Sequence, residues 1–377
     1  MAATPLFDRE QLIATLTELA RQRLASTEAD LAQTFFGAYF HRVPSDDLAR
    51  SDPEDLYAGA LAHLDLGRQR QPGQPILRAY NPTEAQQGGT SRHTVVEAVV
   101  DDIAFLVDSV SMALNRLGYT IHLTIHPVLR VGRDKSGTLT TLNHRSADAQ
   151  PESFLCFYIS RESRPERLDA IVFELTRVLD EASAANADRT AMRELALSLA
   201  QNLDDVDAPA GHETRSEASA LCRWIAQDNF TFLGAVTYEM SSNDDGLLSP
   251  KAASALGILR PRDGLDLARR LSVLPESNAA GLKDNDPVMV TKSSKRSLVH
   301  RPAYMDVLFV RHANAKGELT GETCLVGLFS AGAYNRSVVD IPGPRQKLQH
   351  VLTRSGLPEY GHGIKVLQNL IERYPRD

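Results

Sequence analysis

The apolar positions of the first 88 residues follow a helical period. Between residues 8 and 40, leucines recur near every 3.6 residues, a spacing that predicts helix through that stretch. A further helix is predicted to begin at Ser51 or Asp52, followed by Pro53, because proline is favoured near the first helical position, and to run to about Leu66. ILRAY is a strand candidate, and the polar stretch TEAQQGGTSR (83–92) after it is a linker. The pattern predicts a helical N-terminal segment over residues 1–88.

Over residues 89–185 the spacing of the apolar residues alternates between the pattern of a strand and the pattern of a helix. A strand at Thr94–Val100 is followed by a helix with one apolar stripe, which Gly118 is predicted to end. Apolar and polar residues then alternate in IHLTIH, and TLTTL and SFLCFYIS continue as strands before a helix that starts at Pro165. This order predicts an antiparallel, ferredoxin-like sheet with helices on one face.

The second half of the chain repeats the mixture of helix and strand, so the fold class is predicted to be α+β. We predict a helical connector over 186–227, an antiparallel sheet domain over 228–340 and a further helical connector over 341–377. The strands of this sheet are expected in four segments: FTFLGAVTYEM, DPVMVTKSS, YMDVLFVRHA and ETCLVGLFSA.

The junction between the first strand and helix of the 89–185 segment carries the first candidate site. A dinucleotide site needs glycines there, but the chain has Asp101 and Asp102, whose charges would repel a phosphate. No GxGxxG or GxxxxGK[ST] occurs in the sequence. Two interpretations of Asp102 stay open: an N-cap of the following helix, and a residue that binds a ligand.

Other reactive side chains predict neither a metal site nor a catalytic residue. His122 and His126 share a strand face, but four residues at about 3.3 Å each place them roughly 13 Å apart, too far for one ion. Ser330 lies in no GxSxG elbow and is expected to help close the second sheet. Cys156, Cys222 and Cys324 form no CxxC pair, and their odd number argues against a disulfide framework.

Composition narrows the class of protein further. The net charge of −7 and the aromatic content of 6% give no support to nucleic-acid binding. No run approaches the roughly 18 apolar residues of a membrane span. The N-terminus lacks the basic and apolar regions of a signal peptide, so a cytoplasmic protein is expected.

Four long segments, in order, resemble the N-terminal part of the large bacterial NAD-dependent glutamate dehydrogenases. Similarity extends from about Phe35 to Asp377. The segments are DDIAFLVDSVSMALNRLGYTIHLTIHPVLRVGRD, RWIAQDNFTFLGAVTYEM, KSSKRSLVHRPAYMDVLFVRH with GETCLVGLFSAGAYNRSVVDIPGPRQKL, and VLTRSGLPEYGHGIKVLQNLIERYPRD.

The resemblance implies an ACT-like domain at 89–185 and a PAS-like domain at 228–340. It also implies a regulatory and oligomerisation role, in an enzyme whose NAD and catalytic residues belong to a dehydrogenase domain further along the chain. An amino-acid effector would lie at Asp101, Asp102, Ile103 and Phe105, where Phe105 crowds a position that is usually small in this family. The alternative is a stand-alone amino-acid-sensing or assembly module without catalytic activity.

Overall fold

The computed structural model describes residues 9–49, 51–82, 92–143, 149–206, 212–240, 248–262, 271–272, 286–314, 318–358 and 361–373. The chain forms two compact units: residues 1–183 with 298–301, and residues 184–297 with 302–377. Nearly all of the predicted linker at 83–92 lies outside the described residues, as do residues 374–377 at the end of the predicted C-terminal connector. The predicted helical segment 1–88 and the predicted ACT-like segment 89–185 therefore belong almost entirely to the same unit, unit 1.

Four helices precede the first sheet of unit 1. The predicted continuous helix over 8–40 is interrupted at Ala25, which has an extended backbone with ψ 152° and so separates two helices. The predicted start at Asp52 is confirmed, since its side chain accepts a hydrogen bond from the Glu54 backbone N–H at 2.9 Å. The helices are α1 (Arg9–Arg23), α2 (Ser26–Tyr39), α3 (Ser45–Leu48) and α4 (Pro53–Leu66).

The sheet of unit 1 is antiparallel throughout, and its strands pair in the order β1-β2-β6-β4-β5, with β3 also on β6. The strand β1 from the predicted helical segment lies at the edge, beside β2. Its strands are β1 (Ile76–Tyr80), β2 (His93–Asp101), β3 (Ile121–Ile125), β4 (Val128–Arg133), β5 (Leu139–Leu142) and β6 (Gln150–Ser160).

The two helices of the 89–185 segment lie on one face of this sheet, as predicted, while the N-terminal helices cover the other face, which was not predicted. Val95 and Val99 pack with α1, α2 and α4 in one core, while Val96 and Val100 pack in a second core with α5 (Leu106–Arg116) and α6 (Pro165–Ala187). Apart from Glu97, residues 95–100 of β2 (VVEAVV) are apolar, and a nearly continuous apolar run is typical of a strand that is buried on both faces. Both cores therefore meet at β2 and β6, the two strands that carry the candidate sites.

Unit 2 contains an antiparallel sheet in the order β10-β11-β12-β7-β8, with β9 also on β7. Helices α7 (Arg189–Asp204) and α8 (His212–Trp224) pack on it, and a π-helical turn, Ile225–Asn229, leads into β7. The strands are β7 (Phe230–Met240), β8 (Leu248–Pro250), β9 (Leu256–Gly257), β10 (Val288–Arg296), β11 (Tyr304–Ala313) and β12 (Leu319–Phe329).

Within the described residues, three α-helices and a short 3-10 helix, Val338–Asp340, follow β12. The α-helices are α9 (Ala331–Asn335), α10 (Pro344–Arg354) and α11 (His362–Arg373). Ile364 of α11 is buried with Leu348 and Leu352 of α10 and with Val338, so the apolar stripe of α11 packs within unit 2. Unit 2, like unit 1, therefore mixes helix and antiparallel sheet.

Candidate functional site

Asp101, the first of the predicted effector-binding residues, belongs to an ion-pair cluster at the end of β2. Its carboxylate lies 2.5 Å from the Arg70 guanidinium and accepts the Gly73 backbone N–H at 2.8 Å. Arg70 also pairs with buried Glu152 at 2.8 Å, and Arg133 pairs with Glu152 at 2.7 Å. Asp101 thus holds the loop before β1 against the sheet.

Asp102 turns away from that cluster and is exposed. Its carboxylate accepts the Ser153 hydroxyl at 2.6 Å, and the Ser153 oxygen lies 3.0 Å from His126 Nε2. Because the single hydroxyl hydrogen of Ser153 goes to Asp102, the Ser153 oxygen accepts from the His126 Nε2–H. The N-cap interpretation of Asp102 was wrong, since the N-cap of α5 is Phe105 and Asp102 bonds to β6 instead.

Phe105 and Ile103 lie on the other side of the junction. Phe105 has a left-handed backbone with φ 68°, and its ring packs against that of His300, with centroids 4.5 Å apart. His300 belongs to the same unit and donates its backbone N–H to the Ser109 hydroxyl at 3.0 Å. Ile103 packs in the core with α5 and α6. The four predicted residues therefore face different surroundings.

A cavity of about 1230 Å³ lies beside Asp102, between α2 and the β3–β4 hairpin. Asp102, His126 and Arg42 line it, together with Val43, Val128 and other apolar groups. Burial lowers the pKa of His126, while the nearby Asp102 carboxylate raises it and Arg42 lowers it further. Of the four predicted effector residues, only Asp102 lines this cavity.

The remaining candidates from the sequence occupy structural positions. His122 stacks on His93, with ring centroids 4.5 Å apart, while His126 bonds to Ser153, so the two histidines have different partners. Ser330 is the residue before α9, which is consistent with its expected place at the edge of the second sheet.

The structure contains a buried polar cluster that the spacing of residues along the chain did not predict. Its members are Tyr39 of α2, His63 of α4, Glu97 of β2 and Cys156 of β6, all within the core between the N-terminal helices and the sheet. Burial, partly offset by Glu97, lowers the pKa of His63. Burial also raises the pKa of the Cys156 thiol. Glu97 is the one charged residue between apolar residues of β2, and it could have indicated a buried polar cluster. Its partners could not be identified because they lie far away in the sequence.

Comparison with protein families gives two matches. The family model described as "Glutamate dehydrogenase, ACT1 domain" matches residues 35–175, which include most of the residues that line the cavity and all four members of the buried polar cluster. The model described as "Glutamate dehydrogenase, helical motif 1" matches residues 341–377, where α10 and α11 lie. Among the described residues, no helix combines the length and the apolar character that crossing a membrane requires.

Individual relatives are similar over nearly the whole chain. An NAD-specific glutamate dehydrogenase of Halomonas elongata is 33% identical over 98% of this chain. Proteins of the same name from Pseudomonas aeruginosa and Mycobacterium tuberculosis are 32% and 25% identical over 94% and 93% of it. The chain spans only 23%, 22% and 21% of the length of these relatives.

Proposed function

The chain belongs to the NAD-specific glutamate dehydrogenase family, and we propose that it is the N-terminal regulatory and oligomerisation region of such an enzyme. The complete enzyme would oxidise L-glutamate with NAD and water to 2-oxoglutarate, ammonium and NADH in the cytoplasm. NAD and the catalytic residues would belong to a domain outside these residues, which would be this region's partner within the same chain. The observation that carries the proposal is the ACT1 match over residues 35–175.

We propose that unit 1 receives an amino-acid effector in the cavity beside Asp102. The support is geometric: the rings of Phe105 and His300 cover the start of α5, whereas Asp102 is exposed to the cavity on the other side. An amino acid would place its ammonium at Asp102 and its carboxylate near Arg42. Regulation of the complete enzyme would then act through this region.

We propose further that the second sheet forms a PAS-like domain. Its support is a wholly antiparallel sheet in which β7, the first strand in chain order, lies between the last strand and the two short ones. The two helical stretches, 186–227 and 341–377, would act as connectors between modules. Self-association of these modules would give the complete enzyme its homo-oligomeric form.

The main proposal is tested by expressing the full reading frame that contains this chain. We expect glutamate-dependent formation of NADH from the complete protein and none from residues 1–377 alone. Sedimentation of the complete protein and of a variant without residues 1–377 would show the oligomerisation role as a smaller assembly in the variant. NADH formation by residues 1–377, or an unchanged assembly in the variant, would contradict the proposal.

The effector is tested with melting curves of the 377-residue chain in the presence of each common amino acid. At 100 times its dissociation constant, a ligand should stabilise the domain by about 2.7 kcal/mol. Asp102→Asn should abolish that shift, whereas Asp169→Asn, at an exposed position on α6, should keep it. If no amino acid moves the wild-type curve, the effector is rejected while family membership stands.

A further inference from the structure

The buried polar cluster brings together three side chains that bind transition metals. His63, Glu97 and Cys156 each offer a ligand atom, and these atoms all lie within 4.8 Å of one another. The three residues are 0%, 1% and 1% exposed and come from α4, β2 and β6, so the surrounding core fixes their backbones. Nitrogen, sulfur and carboxylate oxygen are together the ligand set that zinc accepts.

The hydrogen bonds of His63 fix which ring nitrogen is available. Nε2 lies 3.2 Å from the Ala98 carbonyl oxygen, which can only accept, so Nε2 carries the hydrogen. Nδ1 of the neutral ring then presents its lone pair and accepts the Tyr39 hydroxyl at 3.0 Å. A histidine that donates its second nitrogen to a backbone carbonyl is the usual arrangement behind a metal-binding imidazole. Burial favours the neutral form that a metal requires.

Glu97 is oriented in a comparable way. Arg78 Nε donates to its Oε2 at 2.7 Å, and the Tyr80 hydroxyl donates to its Oε1 at 3.2 Å. Carboxylate oxygens have two lone pairs each, so these bonds leave room for a metal. Hydrogen-bonded carboxylates of this kind are typical ligands, because outer partners hold them in place.

We propose that His63 Nδ1, Glu97 and Cys156 Sγ bind a zinc ion inside unit 1, with the Tyr39 hydroxyl oxygen at the fourth position. On binding, the hydrogen bond from the Tyr39 hydroxyl to His63 Nδ1 breaks and the Cys156 thiol loses its proton to solvent. The sulfur, Nδ1 and a Glu97 oxygen then each give an electron pair to the ion, and the Tyr39 hydroxyl keeps its proton and turns its oxygen to the ion. Zinc bonds of about 2.0–2.3 Å place tetrahedral ligand atoms roughly 3.3–3.8 Å apart, so the donors need to close by about 1 Å. This inference departs from the sequence prediction of no metal, which considered only residues close in sequence.

Cobalt spectroscopy of the 377-residue chain tests the site. Co²⁺ added to protein stripped with a chelator should give the visible bands of tetrahedral cobalt and a near-ultraviolet band from thiolate coordination, both displaced by one equivalent of zinc. Cys156→Ser should remove the thiolate band. Cys222→Ser, at a buried cysteine of unit 2, is the matched control and should keep it. Tyr39→Phe removes the proposed fourth ligand and should weaken zinc binding by at least about tenfold to a hundredfold, the range for the loss of even an outer partner.

A second measurement covers the case in which Cys156→Ser does not fold. In the wild type under mild denaturant, zinc should slow alkylation of Cys156 and leave that of Cys222 unchanged, as read by mass spectrometry. The proposal is overturned if no stoichiometric zinc is retained, or if zinc protects both thiols equally. Cobalt bands that survive Cys156→Ser and disappear in His122→Gln would also overturn it, because they would place the ion at the exposed pair of His93 and His122.

Discussion

Each of the two sheets buries a glutamate in a strand that pairs on both sides, Glu97 on β2 and Glu322 on β12, and the two carboxyl groups have different surroundings. Glu97 on β2 is 1% exposed, pairs with Arg78 at 2.7 Å and accepts the Tyr80 hydroxyl. Glu322 on β12 is 3% exposed, and among the described residues its carboxyl group has no salt-bridge partner. Burial raises the pKa of Glu322 to about 7, although Arg311 lowers it.

The difference shows two ways to keep a carboxyl group in a core. A buried charge costs several kcal/mol unless a partner compensates it, and in unit 1 the Arg78 guanidinium compensates it. In unit 2 the carboxyl group takes up a proton near neutral pH instead. Glu97 is thus a fixed structural ion pair, while Glu322 makes the second sheet sensitive to pH.

The largest effect is expected when Glu97 loses its partner. Arg78→Met leaves the buried carboxylate uncompensated and should destabilise unit 1 by about 3 kcal/mol, near the low end for buried pairs because Arg78 is partly exposed. Hydrogen exchange of the β2 and β6 amides measures this loss. Arg23→Met, which breaks an exposed pair with Glu54, should cost much less, because solvent screens exposed charges. Equal losses in the two variants would show that Glu97 does not depend on Arg78.

Much of this fold could be predicted from the periodicity of apolar residues, and particular residues show which features could not. Asp52 with Pro53 and Gly118 marked helix boundaries because their chemistry is local. β1 was recognised as a strand, but its pairing with β2 depends on packing across a gap in the sequence. The helices on the second face of the sheet were missed because an apolar run does not say which elements cover it.

The candidate site was less predictable, for a related reason. Asp102 was correctly placed at the strand end, but its bond to Ser153 and the cavity beside it require β6 and α2 to meet there. His63 and Cys156 gave no local signal, since each is one polar or sulfur-containing residue in an apolar element. Glu97 and Glu322 look alike in sequence, and only the structure shows that Arg78 reaches the first.

Glu322→Gln should reverse the usual sign of a core substitution. The pKa of Glu322 is about 7 in the fold against 4.5 as the ordinary value, so the folded state binds its proton more tightly. The contribution of the protonated Glu322 carboxyl group to the stability of unit 2 is fully present below about pH 4.5 and is lost as the pH rises through 7. At pH 8 the neutral amide should therefore stabilise unit 2 by about 1–3 kcal/mol, and at pH 5 by much less.

The fluorescence of the single tryptophan, Trp224, reports urea unfolding of unit 2 for this comparison. Glu239→Gln is the control, because Glu239 is exposed and pairs with Lys251. It should change stability by less than about 1 kcal/mol, because the pair is exposed. A Glu322→Gln variant that is equally stabilised at pH 5 and pH 8 would show that its carboxyl group does not exchange a proton.

The smallest effect is expected from His63, and its sign is opposite to that of Glu322. Burial lowers the pKa of His63, so the unfolded chain takes up the proton first as the pH falls below about 6.5. The stability that the neutral ring contributes to unit 1 is present above that pH and declines below it. His63→Gln has no such proton, so the free-energy gap between wild type and variant should narrow from pH 7.5 to pH 5.5. Hydrogen exchange of the β2 and β6 amides, compared between the two proteins at each pH, measures the gap because intrinsic exchange rates cancel. A constant gap would mean that His63 is not kept neutral by burial, and the contrast between the two units would then depend on Glu322 alone.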